Sequence, residues 1–166
     1  MASILNVDTI NNAAGTSAVT IDSSGNVAIP GHVMQVVQAS GNTATYAGSA
    51  GSWLATDASI TITPTSSSNK IYVMHSAGGL AEEGCNDAGL RMKRGSTVIL
   101  SSTRYGYFTG SNGNWHGINW PMNYLDSPAT TSATTYSMEI RRSNATGGLR
   151  HCDDAYWTMI AMEIAG

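Results

Sequence analysis

The chain has 166 residues, 11 acidic side chains against 8 Lys and Arg, and a charged fraction of only 11 %, so small polar residues do the solubilising. That length allows one ordinary domain plus an appendage, and a net charge of -3 leaves no basic footprint for nucleic acid or anionic lipid. No run approaches the roughly 18 apolar residues of a membrane helix, and no basic-then-apolar opening marks a secretory signal.

Residues 1–31 differ from the rest. Ile4, Leu5, Val7 and Ile10 precede a polar link from Asn11 to Ser17, and Val19, Ile21, Val27 and Ile29 then recur around a Ser23-Ser24-Gly25-Asn26 turn. Two or three apolar side chains per piece cannot offset a backbone entropy cost of about 1–2 kcal/mol per ordered residue. Such a segment is either disordered when alone or built from several chains that complete one another's core. Branched apolar residues alternating around turns favour the second, an intertwined extended neck.

Pro30-Gly31 closes that segment, and residues 32–166 read as a head. His32 to Ala39 is a strand, Trp53-Leu54 an isolated anchor, and Ser59 to Thr63 a short strand stopped by Pro64. Lys70 to His75 is the central strand, with Ile71 and Val73 on one side and Tyr72 and Met74 on the other; Gly78 to Gly84 is expected to be a loop. Gly89 to Arg94 and Thr97 to Leu100 form a hairpin around Gly95-Ser96. From Ser101 to Asn123 no period is visible.

The turn Asp126-Ser127-Pro128 feeds a strand in which Tyr136, Met138 and Ile140 alternate with Ser137, Glu139 and Arg141. The last strand alternates Tyr156, Thr158, Ile160, Met162 and Ile164 with Trp157, Met159, Ala161 and Glu163, so both its faces are largely apolar. No helix of three turns is predicted. The expected class is all-β, an antiparallel two-sheet sandwich of Greek-key type.

Two groups of residues carry a family likeness. Leu5-Asn6-Val7-Asp8-Thr9-Ile10 followed by Val19-Thr20-Ile21-Asp22-Ser23-Ser24-Gly25-Asn26-Val27 resembles the collar repeat of small fibre and head-decoration proteins of tailed bacteriophages, marine ones especially. Ile60-Thr61-Ile62-Thr63-Pro64, Ser66-Ser67-Ser68-Asn69-Lys70-Ile71, Tyr124-Leu125-Asp126-Ser127-Pro128, Thr134-Thr135-Tyr136 and Met162-Glu163-Ile164 look like the head domain of the same group.

The resemblance implies a homotrimeric virion protein with a jelly-roll-like head, assembled in the host cytoplasm and exposed after lysis. Residues 1–31 would serve trimerisation or attachment to another virion protein, and a distal face would contact a host-surface glycan or protein. A capsid decoration or cement protein without a receptor role is the alternative within that class. A soluble carbohydrate-binding module is the alternative outside it. The chain is short for a tail fibre, with no long shaft.

For contact with a receptor, the aromatic stretch from Tyr105 to Tyr124 is the candidate, through Tyr107, Phe108, Asn114, Trp115, Asn119 and Trp120. Flat rings among Gly, Asn and Ser can lie on a sugar while amides bond its hydroxyls; the competing reading is that the rings plug the end of the sandwich. Glu82, Glu83, Asp87, Asp153 and Asp154 are the acidic groups that a hard cation would use, but their spacing matches no calcium loop. His32 is the residue that a threefold axis would gather. Histidine spacing fits no zinc motif, no serine sits in a nucleophile elbow, and no cofactor or enzymatic activity is expected. Cys85 and Cys152 are expected as separate thiols.

Overall fold

The computed structural model describes residues 6–21, 23, 25, 27–47, 49–82, 88–106, 115–142, 148–153 and 155–166, excepting the side chains of 28, 80–82, 104–106, 115 and 118. Among these residues there are fourteen strands in three antiparallel sheets and no helix.

The first sheet is the neck: β1 (Thr9–Asn11), β2 (Ser17–Ile21) and β3 (Val27–Ala28), in that order. Its first turn is held by Asn12, whose Oδ1 accepts the backbone N–H groups of Ala14 at 3.0 Å and Thr16 at 2.9 Å. All of β1 is exposed and β2 has no buried residue, so the strands pair without covering a core. Two backbone bonds clip the end of this segment to the head, Gly31 N–H to the Ala165 carbonyl at 2.8 Å and Ala165 N–H to the His32 carbonyl at 2.9 Å.

The head begins with β4 (Val33–Gly41), β5 (Thr45–Tyr46), β6 (Leu54–Ile62), β7 (Lys70–Glu82) and β8 (Ala88–Arg94). It continues with β9 (Thr97–Gly106), β10 (Trp115–Asn119), β11 (Met122–Asp126), β12 (Thr134–Arg141), β13 (Leu149–His151) and β14 (Trp157–Ile164). The smaller sheet runs β6-β12-β8-β9. In the larger one β7 is central: β14 and then β13 follow one edge, β11 and then β10 the other, and β4 and β5 lie outside β14 and β13. The sheets share one core. Ile71, Val73, Met159 and Ala161 from the larger sheet meet Leu90, Met92, Tyr136, Met138 and Ile140 from the smaller. The predicted alternation of β12 and β14 is observed.

Two of the three buried carboxylates among the described residues, both level with Ile71 on β7, brace the neck end of this core. Asp126, at the predicted turn, accepts from Arg94 Nη1 at 2.9 and 2.8 Å and from the Tyr136 hydroxyl at 2.8 Å. Burial and then Asp126 push the Tyr136 phenol well above its usual range. Glu163, at the neck end of β14, accepts from Gln35 at 2.6 Å, from the Thr65 backbone at 2.6 Å and hydroxyl at 2.9 Å, and from Asn69 at 2.7 Å. Burial alone would raise its carboxyl; Asn69, Gln35 and Thr65 outweigh that and hold it below the usual carboxylate range.

One expectation fails here. Gly78 to Gly84 is expected to be a loop, yet β7 runs on through Gly78 and Gly79 to Glu82; residues 83 and 84 lie outside the described residues. A Cβ on Gly78 would meet the Ala155 side chain at 2.8 Å, and one on Gly79 would meet the Arg150 carbonyl at 2.6 Å. These glycines allow close approach inside a strand.

Candidate functional site

Every strand pair flanking β7 is interrupted at one level. β4 gives way to β5 across residues 42–44, β13 to β14 across 152–156, and β10 to β11 across Trp120-Pro121. Backbone bonds keep the ladder closed there: Trp120 N–H to the Ala77 carbonyl and Cys152 N–H to the Gly78 carbonyl, each at 2.8 Å. Beyond this level lies the end of the head opposite the neck, since β4 and β14 each span eight or nine residues from the Gly31–Ala165 clip. At about 3.4 Å per residue that is a separation of roughly 25 Å.

Beneath the interruption two histidines that lie far apart in sequence meet. His75 on β7 and His151 on β13 face each other Nε2 to Nε2 at 3.2 Å with rings nearly parallel, one donating and the other accepting. Trp120 closes over them edge-on, its ring centroid 6.4 Å from that of His151. Burial and then the neighbouring His151 push His75 down to about 3, against the Trp120 carbonyl; burial pushes His151 down to about 4, against Asp57. The pair is therefore neutral at ordinary pH. Cys152, next in the chain, takes a φ of 62° and donates its thiol to the Ala155 carbonyl at 2.9 Å. It is free and buried, and burial pushes the thiol up, away from the reactive thiolate.

The surface above is polar. Asn42, Ala44, Tyr46, Asp153, Ala155 and Tyr156 line an open hollow of about 380 Å³. Tyr156 is 73 % exposed and Tyr46 53 %. The Tyr46 hydroxyl donates to Asp153 Oδ1 at 3.2 Å, Arg150 Nη1 donates to Asp153 Oδ2 at 2.7 Å, and the Arg150 guanidinium lies 5.0 Å from the Tyr46 ring centroid. The carboxylate is thus neutralised and its position fixed.

The chain matches no protein-family model and no curated protein.

The six expected receptor contacts separate. Tyr107, Phe108 and Asn114 lie outside the described residues, and Trp115 opens β10 with its side chain also outside them. Asn119 is exposed and accepts from Ser76 Oγ at 3.4 Å. Trp120 is a correction: it is 0 % exposed, so no sugar ring reaches it in this chain, and the indole is the plug of the sheet end.

Of the acidic groups, Glu83, Asp87, Asp154, Cys85 beside them and the Glu82 side chain lie outside the described residues. Asp153 is bonded to Arg150 and Tyr46, which removes the charge a cation would seek. Among the described residues no three His, Cys, Asp or Glu side chains form a metal-sized group. His32 is exposed at the junction of neck and head. Tyr46, Asp153 and Tyr156 as one hollow, and His75 with His151, had no sequence signal, because each set is assembled from strands far apart in the chain.

Proposed function

We propose that this chain is a non-enzymatic structural protein of a tailed-phage particle, a homotrimer with a jelly-roll-like head that is carried on the intertwined neck and contributes to adhesion to a host surface. The observation that carries this reading is the neck sheet. Ile10 and Val27 are each 48 % exposed on strands with nothing buried beneath them, and copies of the same strands are the most economical cover.

A second surface supports sharing between copies. On the outer face of the larger sheet the register lines up Val36, Met162, Tyr72 and Leu125 across four strands, with Ile160 and Met74 in the next row. Val36 is 56 % and Leu125 47 % exposed, and this band carries no charge. Four strands about 4.8 Å apart and two rows of about 7 Å each make roughly 260 Å². That is about a third of the roughly 800 Å² a stable partner usually covers, so the neck has to supply the larger share of any interface.

The hollow at the opposite end from the neck suits adhesion, because a particle attached through residues 1–31 would present that end outward. Labelling of intact particles with antibody against residues 32–166 tests the assignment. Surface labelling is expected; its absence on particles that contain the chain would contradict it.

A further inference from the structure

We infer that the hollow lined by Asn42, Tyr46, Asp153 and Tyr156 is a binding site for a neutral saccharide; this rests on the adhesive reading above and names its site. Tyr156 stands largely free at the mouth, and an exposed flat ring with an apolar face is what the C–H face of a pyranose packs against. Asp153 Oδ1 and Oδ2 are each held by one donor, from Tyr46 and Arg150, and a carboxylate oxygen has a second lone pair for a sugar hydroxyl. The Asn42 amide on the same wall offers both a donor and an acceptor.

Charge selects the class. Arg150 and Asp153 cancel, and among the described residues the lining includes no other charged side chain, so an anionic sugar gains nothing over a neutral one and meets a carboxylate. The hollow is open and shallow, which suits the end or edge of a polymer better than a small molecule enclosed on all sides. Among the described lining residues Asp153 is the one carboxylate, so what they offer a sugar is hydrogen bonds and a ring face. Its rigidity comes from below: β13, which carries Arg150, is pinned through His151 to His75 on the central strand.

The test uses the full chain and ligand-observed NMR titration with methyl glycosides of glucose, mannose, galactose and N-acetylglucosamine, with glucuronic acid as the anionic comparison. At least one neutral glycoside is expected to bind in the millimolar range. Tyr156→Ala should weaken it about tenfold and Tyr156→Phe should keep wild-type binding, because the ring face does the work. Asn42→Ala provides a second variant that leaves the rings in place and should also weaken binding. No binding of any neutral glycoside, tighter binding of glucuronic acid, or unchanged binding in Tyr156→Ala would overturn the site. Solution mass measured on the same samples separates the two readings. A three-copy species that ignores every glycoside sinks the site alone; a single-copy species that binds one, and loses it in Tyr156→Ala, sinks the assembly alone.

Discussion

The neck and the head solve the same problem in opposite ways. Both are antiparallel sheets of short strands rich in Thr, Ser and branched apolar residues. In the head two sheets face each other, and Ile71, Val73, Leu90, Met92, Met138 and Ile140 between them are sealed completely. In the neck no second sheet lies behind the strands among the described residues, and Ile10 and Val27 stand exposed while Val19 and Ile21 are only half-buried. Strand pairing supplies hydrogen bonds in both, but those are worth little net against water; what separates a self-sufficient fold from a dependent one is what lies behind the pleat.

Acid should widen this contrast most. His75 and His151 are held neutral by burial, so below their ordinary value of 6.5 the unfolded chain binds protons that the folded head refuses. Stability is full above pH 6.5 and falls as pH drops toward the folded values of about 4 and about 3. By pH 5 the loss is about 2 kcal/mol for each histidine. Urea unfolding of residues 32–166 from pH 7 to 5 measures it; a flat profile would mean that the pair is not buried as described.

Ile140→Ala comes next. It opens a cavity between the two sheets and should cost about 3 kcal/mol in the same assay. Glu163→Gln should cost about 2 kcal/mol, since it removes the charge to which Gln35, Thr65 and Asn69 donate and sets an amide N–H among donors. Ile10→Asp combined with Val27→Asp should change unfolding of the dissociated head by less than about 0.5 kcal/mol, yet disperse the assembly in sedimentation. An unchanged sedimentation coefficient would mean that the neck joins nothing.

Period-two alternation was legible wherever one face met the core and the other met water, which is why β12, β14, the first half of β7 and the β8–β9 hairpin could be read directly. It failed where the sheet bends. Gly117 within β10 and Pro121 between β10 and β11 are residues that ordinarily end strands, and pairing with β7 holds the two strands extended. The second half of β7 was hidden by Gly78-Gly79 for the same reason. The short motifs on which the resemblance rests include two of the buried carboxylate networks. Asp126 with Tyr136, and Asn69 with Glu163, lie within those motifs and hold the head closed. They are scaffold.

The candidate site was less legible. Trp115, Asn119 and Trp120 lie on or just after β10, at the same end of the sheet as the hollow, but a ring's sequence neighbours do not say which way it points. Trp120 turned inward to plug the bend, and Tyr156, which alternation assigned to a strand, sits just before β14 and faces water. Arg150, Asp153 and Tyr46 come together only because β13 pairs with β5.

Whether copies share the neck is decided most directly by the solution mass of the full-length chain, measured by light scattering after size exclusion. Three copies of a 17.3 kDa chain give about 52 kDa, falling toward the single-copy value when residues 1–31 are removed. A full-length species at 17.3 kDa, with the neck amides as protected from exchange as those of β7, would contradict it.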